Sequence, residues 1–319
     1  MHEYFNNLIS QLIKKYNLEK ILVAISGGQD SICLMKLLDK FTKNNKYIQI
    51  EYIYIDHQWR IDSKKQIEQL IKYCKYLRKK LTIYQIKKIS ISENISRKNR
   101  YHIIIHHAIN YKYKFIFTAH TKTDKLETFF YNLIRGTGME GVTSLTLERK
   151  FNPNINILRP LIRKNRVNIS FFCRKWLLPI WLDMSNQNYN TTRNRIRNEI
   201  FPYLKKYLNK NIEENWASFL HNCYYDNEYI TQKVIKFYLQ NKHKKYIALN
   251  KFFIKQEHFS VQIRILKLLI YHNFNIVSNK KLLIKLIDII NENNKKKFIN
   301  QLIYKSIKFN INKYWIYIT

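Results

Sequence analysis

Residues 26–31, Ser26-Gly27-Gly28-Gln29-Asp30-Ser31, put two hydroxyls, two glycines and a carboxylate into one short turn. The turn follows an apolar run at 21–25. It precedes Ile32, Leu34, Met35, Leu37 and Leu38, which recur at helical spacing. A strand, a tight turn and a helix start make an anion site, because unpaired N–H groups and the positive end of the helix dipole point into the turn. Gly27 and Gly28 are expected to permit positive φ and close backbone approach, and Ser26 and Ser31 to add hydroxyl donors. Asp30 would repel a phosphate there unless it holds Mg²⁺, which binds through one or two carboxylates plus the ligand's phosphates. The plain alternative is a glycine turn in which Asp30 or Ser31 caps the helix.

Further polar groups recur where other strands should end. Asp56-His57-Gln58-Trp59-Arg60 follows the run 50–56. His120 follows the run 114–119, with Asp124 and Glu127 at i and i+3 on one face of the next helix. The chemistry these types offer is a second Mg²⁺ carboxylate (Asp124), a polar contact to nucleotide or base (His120) and a carboxylate to receive an ammonium (Glu127). The alternative is an acidic first turn favoured by the helix dipole. Arg193, Arg195 and Arg197, at alternate positions on a helix start, suit phosphate contact or else form a solvated basic face.

These groups need a frame. Expected elements are a helix over 2–16, strands over 21–25, 50–56, 81–86 and 114–119, and helices after Asp62-Ser63 and over 94–112. Alternation of this kind argues for an α/β fold, a Rossmann-like parallel sheet with helices on both faces. Ligands bind such sheets beyond the carboxyl ends of the strands, where the polar groups converge. Residues 158–161 read as extended, 165–178 as a helix with Val167, Phe171, Phe172 and Trp176 inward, and 179–183 as a short strand. Helices are expected near 210–240, 256–273 and 278–292, then a terminal strand pair over 301–319, with Asn310 and Asn312 near its bend. The organisation expected is a catalytic domain over 1–205 and a smaller, helical, nucleic-acid-binding domain over 206–319.

Composition narrows the partner. Against 57 Lys and Arg stand 22 Asp and Glu, a net charge of +35 in 319 residues. Codon bias toward Lys, Ile, Asn and Tyr explains much of the lysine but not the shortage of acids. The surplus is the footprint of a polyanion, and the lack of a long apolar run excludes a membrane span. All five glycines fall in two stretches, Gly27 and Gly28, then Gly136, Gly138 and Gly141, so both are expected to carry function. Cys33, Cys74, Cys173 and Cys223 form no C-x-x-C pair, so no zinc or dithiol site is indicated and a reducing compartment is expected. No targeting segment is recognised.

The loop at 26–31 resembles the pyrophosphate loop (PP-loop) of the N-type ATP pyrophosphatases. The ordered set then resembles the tRNA(Ile)-lysidine synthetase family over about residues 18–205. It comprises Ser26–Ser31, Asp56 to Arg60 with Ser63, Arg97-x-x-Arg100-Tyr101, His120-x-x-x-Asp124-x-x-Glu127-Thr128, Arg135-Gly136-x-Gly138-x-x-Gly141, Asp183-x-Ser185-Asn186, and Arg193 through Arg197 to Pro202. Two departures stand out. Thr123 replaces an acidic residue common in the family, and Met184 replaces a proline.

The resemblance implies ATP and Mg²⁺ as cofactors, tRNA(Ile) with a CAU anticodon and free L-lysine as partners, no membrane, and a homodimer as one assembly to consider. It implies adenylation of the wobble cytidine at its C2 oxygen, then displacement of AMP by the lysine ε-amine. By this resemblance Asp30, Asp124, His120 and Arg193 are the catalytic candidates, and Asp30 and Asp124 the metal ligands. Ala24, Ser26, Gly27, Gly28, Gln29, Asp30, Ser31 and His57 would line ATP. Glu127, Arg97, Arg100, Arg135, Arg195 and Arg197 would meet lysine or tRNA. A plastid stromal, organelle-encoded protein is the expected setting, with the cytoplasm of an AT-rich reduced-genome bacterium as the alternative. Three rivals are weighed: a tRNA thiolase, opposed by the missing C-x-x-C; a small-molecule ligase, opposed by the charge; and a non-catalytic RNA-binding module, opposed by the intact loop.

Overall fold

The computed structural model describes residues 2–58, 63–86, 93–181, 189, 191–292, 300–305 and 307–319. Trp59, Arg60, Asp62, Asp183, Met184, Ser185 and Asn186 lie outside them. The chain divides into two compact units, Met1–Leu220 and His221–Thr319.

The first unit is built on a six-stranded sheet of β1 (Lys20–Ile25), β2 (Gln49–Asp56), β3 (Lys80–Gln85), β4 (Phe115–Thr118), β5 (Glu148–Asn152) and β6 (Ile155–Leu158). Their order is β3-β2-β1-β4-β6-β5. All neighbours are parallel except β5 and β6, which form an antiparallel hairpin at one edge. Strand alternation feeds two cores. Ile21, Val23 and Ile25 of β1 face α1 (His2–Tyr16), α2 (Gln29–Asn44), α3 (Ser63–Tyr76) and α7 (Arg166–Lys175). Leu22 faces the other way, with Ile53, Ile116 and Ile157, against Ile104, Ile105 and Ala108 of α4 (Glu93–Asn110). This is the expected parallel sheet with helices on both faces. After β3 the chain crosses to the far side of β1 to add β4, which leaves a switch point between β1 and β4, where crevices form in such sheets.

Two local expectations change. The inward face of α7 is Ile169 and Cys173, flanked by Phe172 and Trp176, whereas Val167 is 69% and Phe171 58% exposed. The set 169, 172, 173 and 176 makes one stripe, and 167 and 171 lie off it. Pro179, Ile180 and Trp181 form no strand. The Trp181 amide instead donates to the Gly27 carbonyl at 3.3 Å, which uses up its backbone outside any ladder.

β2 also buries a carboxylate. Glu51 accepts from the Tyr113 hydroxyl at 2.6 Å, the Thr82 hydroxyl at 2.6 Å and Lys80 Nζ at 3.0 Å, with His107 Nε2 at 3.2 Å. Burial works to raise its carboxyl, but the Thr82, Tyr113 and Lys80 contacts outweigh burial and hold it below the ordinary value. Stability from this group is therefore full above the unfolded carboxyl value and falls as pH drops below it. Glu51→Gln turns an amide donor toward donors and is expected to cost about 2–3 kcal/mol at pH 7. Denaturant unfolding checks it, and the wild-type excess should shrink as pH falls below about 4.

The second unit packs part of α10 (Ile212–Asn241), then α11 (Lys251–Gln256), α12 (Phe259–Phe274) and α13 (Lys280–Asn291) against a small sheet. That sheet is antiparallel, in the order β7-β10-β9-β8, from β7 (Ala248–Asn250), β8 (Asn300–Tyr304), β9 (Ile307–Ile311) and β10 (Trp315–Ile318). The expected strand pair is thus three strands. Asn312 makes the second turn, its side chain accepting from the Tyr314 and Trp315 amides at 2.9 and 2.6 Å. Among the described residues, no helix is long and apolar enough to cross a membrane.

Candidate active site

The loop after β1 is held from behind. Gln66 of α3 donates to the Ser26 carbonyl at 2.7 Å, and the Tyr54 hydroxyl of β2 donates to Gln66 Oε1 at 3.2 Å. Gly27 has φ +74°, and a Cβ there would lie 2.6 Å from Gln66 Nε2. Gly28 is extended, at φ −75°, and caps α2, so only the first of the two glycines uses the left-handed region. Ser31 closes the turn by donating to the Gly28 carbonyl at 2.8 Å. Gly27→Ala is both strained and crowded, and is expected to cost about 1–3 kcal/mol of stability and most of the activity. Thermal unfolding and an assay of pyrophosphate release check it together.

The carboxylates meet across one guanidinium. Arg166, the first residue of α7, places Nη2 3.0 Å from Asp30 Oδ2 and 3.6 Å from Asp124 Oδ1. Asp30 Oδ1 is buried and has no hydrogen-bond partner. Asp124 sits in the first turn of α5 (Lys122–Ile134). Its Oδ2 accepts from the Thr121 amide at 2.7 Å and the Thr121 hydroxyl at 2.8 Å, and Thr121 caps the helix in return. Arg197 Nη2 approaches Asp124 at 3.7 Å and grips Glu127 through two bonds, of 2.6 and 2.8 Å. Burial pushes the Asp30 carboxyl up against the pull of Arg166. Burial also pushes at Asp124, but Arg166, His120 and Thr121 overcome it and hold that carboxyl down. Burial raises Glu127 despite Arg197.

His120, just beyond β4, bonds the Thr118 hydroxyl through Nδ1 at 2.8 Å. Burial, reinforced by Arg159, Arg97 and Arg100, holds its imidazole at about 4 against the pull of Asp124. Burial and Arg100 lower His57, at the end of β2.

The PP-loop domain family matches residues 1–204. Over 324 residues, 99% of both chains, the protein is 45% identical to the "tRNA(Ile)-lysidine synthase, chloroplastic" of Gracilaria tenuistipitata var. liui. The chain belongs to the tRNA(Ile)-lysidine synthase family. The synthase of Pyropia yezoensis, also named chloroplastic, is 36% identical over 98% of this chain and 92% of its own. The U34-tRNA thiolase NcsA from Methanococcus maripaludis shares the fold, with a TM-score of 0.55 at 15% identity over 69% of this chain and 80% of its own.

Within this lysidine synthase fold, the candidates read from sequence fall into separate groups. Asp30 of the loop gathers with Asp124, Glu127 and Arg197 around Arg166. Ala24, on β1, faces the α4 side. Arg135 and Arg193 converge elsewhere, on Tyr131, with guanidinium-to-ring distances of 5.1 and 5.4 Å. Arg195 donates from Nε to the Tyr189 carbonyl at 3.0 Å. The three arginines therefore diverge. A π turn, Ile196–Ile200, follows α8 (Thr192–Arg195) and shifts Arg197 off the regular helical arc.

Arg166, Gln66 and Ser170, which accepts from Gln29 Nε2 at 2.8 Å, were not among the sequence candidates. Arg166 had one readable signal. A cation at the first position of an Asn165-capped helix opposes the dipole, so an acidic partner was to be expected.

Among the described residues, no three or more His, Cys, Asp or Glu side chains form a metal-ligand group. The Asp30–Asp124 pair, with one buried unpartnered oxygen and a cation already between the carboxylates, fits Mg²⁺ completed by substrate phosphates.

Proposed function

We infer that this protein forms lysidine at the wobble cytidine of a CAU-anticodon tRNA(Ile), using ATP and free lysine. Full-length identity to chloroplastic lysidine synthases carries the reading. The Asp30–Arg166–Asp124 arrangement at the switch point supports its first half-reaction.

In that half-reaction the cytidine C2 oxygen attacks the α-phosphorus of ATP and pyrophosphate leaves. Amides and hydroxyls of Ser26 to Ser31 are assigned to the pyrophosphate, since fixed donors cost no reorganisation as charge develops. Ala24 and His57 would line the nucleotide. Asp30 and Asp124 would hold Mg²⁺, which supplies charge neutralisation at the phosphates. His120, kept neutral, is a polar contact for nucleotide or base. In the second half-reaction the lysine ε-amine attacks C2, AMP leaves with the C–O bonding pair, and the amine gives up a proton. Glu127 is assigned to a lysine ammonium, which there shares or displaces the Arg197 guanidinium. Arg193, Arg195 and Arg135 are assigned to nucleotide or tRNA backbone, and the basic second unit to tRNA. Plastid residence follows the chloroplastic relatives, and a stromal, organelle-encoded setting is proposed with it.

The test is transfer of radiolabelled lysine to an unmodified CAU-anticodon tRNA(Ile) transcript with ATP and Mg²⁺. Label with the wild type and none with Asp30→Ala is expected. AMP release without label would keep adenylation and overturn lysine as nucleophile. Tight tRNA binding with neither label nor AMP would overturn catalysis.

A further inference from the structure

Arg159 is the largest fully buried side chain among the described residues, 1% exposed. Among the described residues it pairs with no carboxylate. Nη1 donates to the Thr146 carbonyl at 2.9 Å, Tyr101 is its other polar partner, and Nε has no hydrogen-bond partner. An uncompensated buried cation costs several kcal/mol or more, so its retention asks for an anion.

Its position says where that anion would lie. Leu158 pairs with Phe117 in parallel register, so Arg159, one residue past β6, stands level with Thr118, the last residue of β4. By alternation both belong to the α4 side of the sheet, opposite the face that carries Arg166. Thr118 holds His120 there, and α4 contributes Tyr101 and Arg97, whose guanidinium lies 5.9 Å from the Tyr101 ring. Arg97 is near enough to Arg159 to depress it further, after burial and Arg149, against Tyr101. Arg97, Tyr101 and His120 are half-buried, whereas Thr118 and Arg159 are buried. The group is cationic and set at the carboxyl edge of the sheet, with His120 close enough to Asp124 to feel its charge.

We propose that Arg159, fronted by Arg97 at the carboxyl ends of β4 and β6, binds the α-carboxylate of the amino-acid substrate. The inference rests on the lysidine reading and assigns the substrate end that reading leaves without a partner. A planar guanidinium suits a carboxylate bidentately. With Arg159 itself 1% exposed, a polynucleotide backbone cannot lie against it, which leaves a small free ligand as its anion. The phosphates of ATP already have the loop after β1 and the Asp30–Asp124 pair.

The test compares lysine with cadaverine, which keeps both amines and lacks the carboxylate, in wild type, Arg159→Gln and Arg97→Gln. Wild type is expected to prefer lysine by at least about 10² in kcat/KM. Arg159→Gln should raise KM for lysine roughly 10- to 100-fold and leave cadaverine use and KM for ATP within about threefold, so that the preference collapses. Parallel loss of lysine and cadaverine would make Arg159 a structural residue and overturn the proposal. A selective rise in KM for ATP, or a lower salt slope of tRNA binding, would assign the site to a phosphate and overturn it too. If Arg159→Gln does not fold, wild type and Arg97→Gln decide: equal use of the two amines by wild type, or an unchanged preference in Arg97→Gln, overturns it. Wild type using neither amine overturns the lysidine reading itself, an outcome distinct from the others.

Discussion

Arg166→Met is expected to destabilise the ligand-free protein by about 3 kcal/mol, and Mg²⁺ with a non-hydrolysable ATP analogue to restore most of that loss. The guanidinium is the cation that Asp30 and Asp124 share, at 3.0 and 3.6 Å. Removing it leaves two largely buried carboxylates facing each other, and breaking a buried pair from one side costs about 3–5 kcal/mol. Relief at the α7 N-terminus, where a cation opposes the dipole, returns less than about 1 kcal/mol. With Asp30 and Asp124 as the proposed Mg²⁺ ligands, the ion would first displace Arg166 in the wild type, and part of its binding energy would be spent there. In the variant nothing is displaced, and the same ligand shifts stability further. Unfolding midpoints with and without ligand measure both increments. Equal increments in the two proteins would mean that Arg166 does not occupy the place of the cation.

Much of this site is legible in the sequence, for a local reason. The loop after β1, the first turn of α2 and the run His120 to Glu127 are contiguous segments whose types and spacing state their geometry, and the strands before them announce themselves by β-branched runs. What was not legible depends on distance or on backbone detail. Arg166 reaches Asp30 across 136 positions, and no local pattern pairs them. The hairpin edge strand β5, Glu-Arg-Lys-Phe-Asn, is mostly exposed and carries no apolar alternation. Val167 and Phe171 are apolar yet outward, because one stripe of α7 is already filled by Ile169 and Cys173. The divergence of Arg193, Arg195 and Arg197 follows from a π turn with no propensity signal of its own. The second unit's helices were readable from periodicity, but its third terminal strand and the recruitment of Ala248–Asn250 to β10 are long-range pairings.

Asp124→Asn should lower lysidine formation by about 10³-fold or more while costing no more than about 1–2 kcal/mol of stability. The substitution is nearly isosteric. An asparagine oxygen can still accept from the Thr121 amide, so the cap of α5 is kept in large part. What disappears is a full negative charge, held ionised by Arg166, His120 and Thr121 although burial opposes it. Without it the Asp30–Asp124 pair would offer Mg²⁺ a single carboxylate, and removing even one neutral oxyanion-hole donor costs about 10²–10³ in an acyl-transfer enzyme. Asp30→Asn should fall as far, and the double variant little further, because the two are proposed to hold one ion. Arg166 and Arg197 would also face one less anion, so tRNA binding should hold or tighten slightly while turnover collapses. Single-turnover AMP release alongside a tRNA binding isotherm separates these. Activity within tenfold of wild type, with binding intact, would remove Asp124 from the chemistry and leave it as the cap of α5 alone.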